Sequence, residues 1–345
     1  MFAQLWRRLT GARESSAPAS VDSAPVAIST IAGPSDDDAP PATAATAPAE
    51  NVATDASLHR SLNWRCKVLL DGATREARLS DGPALVEGLR TATDSVIRQP
   101  PAAAQQALRV ASDPNTPVAQ VTRLFENDPM LAQGLLRQAN SIYYRSTGAP
   151  CTSLHAGVLR VGMKGVQGVL MSSMVQQMLC RPGGAYDAQV QRVWSHMQRT
   201  APVARALAPA FKVDPETAYS LALLHDVGKL VVFDHVSRLR HEHRRDVRMP
   251  DPFFGQLLGH LHEPIGGLAV LHWDLGGEAA HAVAEHHRRP VPAEPDLVTE
   301  CLHVSECVEL AHTNFTKLHW DRIWEEGGIT TDVIAVQELL RQMED

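Results

Sequence analysis

From Asp113 onward, apolar positions recur at three- and four-residue spacing, and the runs are punctuated by helix caps. Thr116-Pro117 reads as N-cap then N1, with Val118, Val121, Leu124 and Phe125 on one face. Asp128-Pro129 repeats the device ahead of Leu131, Leu135, Leu136 and Ala139. Thr152 or Ser153 caps a short helix ending near Gly162, and Val166 to Leu179 supplies another. Asp187 opens a longer helix with Val190, Val193, Trp194 and Met197 inward. Asp214-Pro215 starts the next, whose apolar run carries His225-Asp226. Helices over Pro264 to Trp273, Glu278 to His287 and Leu297 to Ala311 follow, and Thr331 caps a last one through Met343. Strand-period alternation is nearly absent, so the pattern predicts an all-α, compact multi-helix bundle.

Before Asp113 the pattern weakens. Residues 57–112 read as a helical extension, with helices over Pro83 to Ile97 and Ala102 to Ala111. A short strand around Arg65 to Leu70 is the alternative for the apolar cluster there. Residues 1–56 are dominated beyond position 10 by Ala, Pro, Ser, Thr and Asp. Too few large apolar side chains stand there to offset ordering entropy, so this is expected to be a disordered N-terminal tail. Residues 113–312 form the main domain and 313–345 a C-terminal helical extension.

Composition narrows the function. The chain is 44% hydrophobic but only 5% aromatic, which predicts a core of Leu, Val, Ala and Met. A net charge of -7 argues against a broad nucleic-acid surface, so no nucleic-acid partner is expected. No apolar run approaches the roughly 20 residues of a membrane span, and Met1 to Leu9 lacks the apolar segment of a signal peptide. The cysteines at 66, 151, 180, 301 and 307 are scattered and form no Cys-x-x-Cys pair. They read as small buried hydrophobes in a reduced, cytoplasmic setting.

The candidate chemistry is a set of histidines and carboxylates on successive predicted helices. His196 lies on one helix and His225-Asp226 on the next. His262 stands ahead of a helix start, and His286-His287 end another. Imidazole nitrogen and carboxylate oxygen suit divalent zinc, manganese and iron. A buried His-Asp pair is costly unless a metal, a counter-charge or hydrogen bonds match it. Lys229, one turn after His225, could contact an anion, although a snorkelling helix lysine is the plainer reading.

Leu223-Leu224-His225-Asp226-Val227-Gly228-Lys229 resembles the signature of the HD superfamily of metal-dependent phosphohydrolases. Residues from about 113 to 312 more closely resemble the HDOD domain, an HD-related output domain of bacterial signalling proteins. The supporting blocks are Asp128-Pro129 through Ala139-Asn140-Ser141, Leu154 through Gly162, Trp194-Ser195-His196, His262 through Gly266 with Trp273-Asp274-Leu275, and Glu285 through Pro290. No Gly-Tyr-Pro triplet follows His286-His287, so the cyclic-dinucleotide phosphodiesterase subgroup is a poor match.

The resemblance implies a metal set of His196, His225 and Asp226, completed by an aspartate on a later helix. Here Glu306 stands at or beside that place. His262 with His286 or His287 would serve a second ion. The longer glutamate is expected to weaken the site. The resemblance therefore implies a non-catalytic signal-transduction module that acts through protein partners, with no cofactor assigned beyond a candidate divalent metal. The alternative is a metal-dependent phosphohydrolase using manganese, iron or zinc on a nucleotide or cyclic-nucleotide ligand.

Overall fold

The computed structural model describes residues 52–344, apart from 92, 142, 145–148, 181–183, 185, 244–245 and 288–295. The expected disordered tail lies outside the described residues up to position 51, as does the Arg288 to Pro290 end of the last family-like block. The first helices are α1 (Asp55–Asp71), α2 (Arg75–Arg78), α3 (Gly82–Thr91), α4 (Thr93–Val96) and α5 (Ala102–Ser112). Then come α6 (Val118–Glu126), α7 (Pro129–Ala139), α8 (Leu154–Leu179), α9 (Asp187–Leu207), α10 (Pro215–Ala222) and α11 (Val227–His243). The chain closes with α12 (Asp251–His272), α13 (Gly277–Ala284), α14 (Leu297–Thr313), α15 (Trp320–Gly327) and α16 (Val333–Glu344). Among the described residues there is no strand, so the all-α expectation holds. No described helix is long and apolar enough to cross a membrane.

Two sequence expectations for the N-terminal part are corrected. The stretch Arg65 to Leu70 is helical, because Leu58, Leu62, Cys66 and Leu69 fall on one buried face at helical spacing. Order also begins earlier than position 57. The Ala53 amide donates to Gly277 O at 2.9 Å, and Thr54 with Ser57 closes a capping box on α1. Further on, Asp128, Ser153 and Asp214 cap α7, α8 and α10 as their sequence positions suggest. Gly162 interrupts α8 with φ 72, a left-handed conformation natural to glycine. α6 starts one residue late, with Pro117 itself at the N-cap.

α5, α6 and α7 pack on α8, which leans on α10. Beyond it, α9 packs on α10 and α14, and α12 is held between α1, α11 and α13. One apolar core runs from α1 to α13. A second, around Leu207, Phe211 and Val304, joins α9, α10, α14 and α16. Cys66, Cys151, Cys180 and Cys301 are buried and free, and Cys307 is half-buried and free.

Candidate metal centre

His225-Asp226 does not lie within a helix, as the apolar run suggested. α10 ends at Ala222, and residues 223–226 form a turn before α11. The break has a physical use. Neighbours on a helix diverge by about 100°, whereas in the turn His225 Nε2 and Asp226 Oδ2 lie 3.7 Å apart. The turn is pressed against α12 by Gly228. A Cβ there would lie 1.9 Å from the His262 carbonyl oxygen, so only glycine permits the approach. The second correction concerns His260 to Glu263, which sit inside α12 rather than ahead of a helix.

The turn brings the distant ligand candidates together. Asp226, His262, His286 and His287 each offer one atom, all within 4.8 Å of one another. His196, His225 and Asp226 form a second such group, and His225, His286 and Glu306 a third. Asp226 is shared by the first two, so its carboxylate lies between them. Glu306, despite its extra methylene, reaches in. Its Oε1 lies 3.7 Å from His196 Nε2 and its Oε2 3.7 Å from His287 Nδ1. Lys229 is buried, and its Nζ sits 2.7 Å from Asp226 Oδ1 and 2.8 Å from Oδ2. The anion it contacts is thus Asp226.

Three of the imidazoles are oriented from behind by backbone carbonyls. His225 Nδ1 donates to Ala222 O at 2.8 Å, His262 Nδ1 to Leu258 O at 2.8 Å and His286 Nδ1 to Val283 O at 2.7 Å. A carbonyl only accepts, so these nitrogens carry the proton and the neutral Nε2 presents a lone pair. Burial pushes the His225 pKa down to about 4 and holds those of His262 and His286 below the usual histidine value, so all three are neutral at pH 7. Their Nε2 atoms nevertheless face other imidazoles. His262 Nε2 lies 3.4 Å from His286 Nε2 and 3.1 Å from His287 Nε2, and His225 Nε2 lies 3.2 Å from His196 Nε2.

His196 differs electrostatically. Its Nδ1 lies 2.5 Å from Glu309 Oε2, and Glu309 Oε1 accepts from Arg199 Nε at 2.6 Å. Burial alone would lower the His196 pKa, but the Glu306 and Glu309 carboxylates, with Asp226, raise it to about 9. For Asp226 and Glu306, too, burial opposes charge, and the groups facing them outweigh it. Lys229 first, then the histidines, hold Asp226 well below the usual carboxylate range. His287 and His196 do the same for Glu306.

Two groups outside the sequence-derived set complete the surroundings. Glu309 orients His196, one helical turn beyond Glu306 on α14. Glu263, beside His262, is paired with Arg65 of α1, and both side chains are almost wholly buried. Arg65 also donates to His260 O at 3.2 Å. The signal for Glu309 was its i+3 spacing from Glu306. Nothing local in the sequence links Arg65 to α12.

The donor set fits a divalent cation. Neutral imidazole nitrogens and carboxylates, with ring protons fixed by carbonyls and a carboxylate behind, are the ligand and support pattern of zinc, manganese and iron sites. Lone pairs facing each other at these distances repel unless a cation or a proton lies between them.

The model of the HDOD domain matches residues 97–289. No curated protein matches the chain. Among solved structures, a candidate metal-dependent phosphohydrolase from Shewanella amazonensis is 17% identical with a TM-score of 0.58, over 76% of this chain and 96% of that one. A candidate phosphohydrolase from the same organism is 22% identical with a TM-score of 0.55, over the same shares. An HDOD domain protein of unknown function from Geobacter sulfurreducens is 17% identical with a TM-score of 0.52, over 83% and 97%. At such identities the likeness is one of fold. The family match spans more than half of the sequence and takes in the turn, α12 and the histidine pair, and on that ground this chain belongs to the HDOD domain family.

Proposed function

We propose that this chain is a divalent-metal-binding HDOD module with metal-dependent phosphohydrolase chemistry. The observation that carries the reading is the pair His262 and His286, neutral imidazoles aimed Nε2 to Nε2 and each locked by a carbonyl behind it. One cation position would be held by Asp226, His262, His286 and His287, and another by His196, His225 and Asp226, with Glu306 reaching both sides. Bound there, divalent cations would polarise a phosphoryl oxygen and lower the pKa of a water toward neutrality. The chain's own groups have clear tasks. The carbonyls behind His225, His262 and His286 fix their tautomers. Glu309 orients His196. Lys229 offsets the charge of Asp226. The names of the two Shewanella amazonensis relatives support the same chemistry.

One observation favours a second reading, in which the metal is held without turnover and the module signals through a protein partner. Among the described ligand side chains, His196 is 12% and His287 31% exposed, while the others are more deeply buried. Access for a phosphate ester is correspondingly narrow. In either reading the free cysteines fit a reducing, cytoplasmic setting. Helices α1–α4 then form an extension outside the family segment.

The test is metal content of the purified protein with and without chelator. It is joined to a phosphate-ester screen with added manganese, zinc and iron, run on wild type beside His225→Ala/Asp226→Ala. Bound metal with turnover, both lost in the double variant, is the expected result. Bound metal without turnover selects the signalling reading, and no bound metal overturns the proposal.

A further inference from the structure

A cavity of about 500 Å³ lies where α5 and α8 face α10 and the turn between α12 and α13. One wall is apolar, built from Leu108, Met171, Leu221, Leu224 and Leu275. Gln105, Gln167 and Ser220 add hydrogen-bonding groups. Gln167 spends its amide N–H on Ala111 O at 2.8 Å, which leaves its carbonyl oxygen to accept. The volume suits a single small organic ligand.

Charge narrows the class. Four charged side chains line the space: Arg109, Lys164, Glu216 and Asp274. Glu216 is matched by the buried Arg205 at 2.8 Å, and Lys164 by Asp214 at 3.2 Å. Arg109 sits exposed at the rim, where its guanidinium meets only the Gln106 amide among the described residues. Asp274, also exposed, follows Trp273 in the α12–α13 turn and repels an anion placed on its own side. A purely hydrocarbon ligand would cover the Gln167 carbonyl oxygen without satisfying it, at a cost. A flat heterocycle with a hydrogen-bonding edge satisfies it while its faces lie on the leucines. A phosphate on such a body can reach Arg109, which binds phosphate in a forked geometry.

The elements that wall the cavity also lead into the cluster. α10 supplies Ser220 and Leu221, and the turn after it runs through Leu224 directly into His225-Asp226. α13 supplies Ala279 and ends just before His286-His287. Four of the seven ligand candidates therefore hang on the cavity's walls. We infer that this cavity is an effector site for a nucleoside monophosphate, and that its occupancy alters cation affinity at the histidine cluster. The second half rests on the metal-binding reading; the first does not.

The test starts with chelator-treated, metal-free protein, titrated calorimetrically with AMP, GMP and adenosine. Saturable binding is expected, with at least one monophosphate about tenfold tighter than adenosine, the gain of one charge-assisted contact. Arg109→Gln should erase that difference. Ser112→Trp, which adds bulk at an exposed lining position, should abolish binding while the melting temperature holds. Absence of binding by all three ligands overturns the site, and so does binding unchanged in both variants. Monophosphate and nucleoside binding equally overturns the role of Arg109. A second titration measures manganese affinity with and without saturating AMP or GMP. The affinities should differ, and by linkage the cation should change nucleotide affinity by the same factor. Equal manganese affinities, in a protein that binds both, overturn the coupling alone. Failure of manganese to bind at all overturns the metal reading and leaves the nucleotide result standing.

Discussion

Arg65→Met is the perturbation that best exposes how α1 supports the candidate centre. Arg65 and Glu263 are 4% and 3% exposed, so neither charge has water to fall back on. Burial would raise the Glu263 pKa; Arg65, with help from His287, His286 and His262, instead holds it far below the usual carboxylate range. Removing the guanidinium strips the buried carboxylate of its Arg65 partner, and the His260 carbonyl loses a donor. Breaking a buried pair in this way costs about 3–5 kcal/mol. At about 2 °C per kcal/mol for a chain of this size, the melting temperature should fall by about 6–10 °C. Replacing both partners, as Arg65→Met/Glu263→Met, removes the buried charge and should recover most of the loss. The assay is denaturant and thermal unfolding of wild type, both single variants and the double, all in chelator. A loss below about 1 kcal/mol for Arg65→Met would refute the reasoning, because taking a charged partner from a buried carboxylate costs more than that. So would a double variant whose loss equals the sum of the singles, because the pair would then show no coupling.

Further outcomes follow from the same geometry. Gly228→Ala should cost about 3 kcal/mol or more, or prevent folding, because its Cβ would meet the His262 carbonyl at 1.9 Å; unfolding measurements check this. In metal-free protein, His225, with a folded pKa of about 4 against 6.5, contributes stability that is complete above pH 6.5 and lost as pH falls toward 4. His196, with a folded pKa of about 9, contributes stability that is complete below pH 6.5 and lost as pH rises through 9. The melting temperature in chelator should therefore peak near neutrality and fall on both sides, and a flat profile would contradict these assignments. Glu306→Asp should weaken cation binding, read by competition with a metal indicator, because the shorter side chain withdraws a carboxylate that already lies 3.7 Å from His196 and His287.

Much of the fold was legible along the chain. Asp128-Pro129 and Asp214-Pro215 announce helix starts through local hydrogen bonding, and the apolar spacing from 113 onward marks the buried faces. These are short-range effects, so residue order suffices to read them. The ligand candidates were also legible, as residue types in ordered blocks, although their assembly was not. The run Leu221 to Leu230 has a helix-like pattern, yet the chain turns at 223–226. Packing against α12 through Gly228 overrides local propensity there. The strand reading for Arg65 to Leu70 failed for a related reason. A short apolar run does not declare its period until Leu58 and Leu62 are counted with it.

The sequence by itself determined that this chain is all-helical from its regular caps and periodicity, and that histidines and carboxylates are supplied on successive elements. Only the tertiary structure decided that five imidazoles and two carboxylates from separate elements converge, that Glu306 reaches the cluster, and that Lys229 is spent on Asp226. It alone revealed Arg65, 198 residues from its partner Glu263. The physical reason is range. Capping and periodicity act within a turn or two of the chain, whereas buried charges find partners wherever packing brings them.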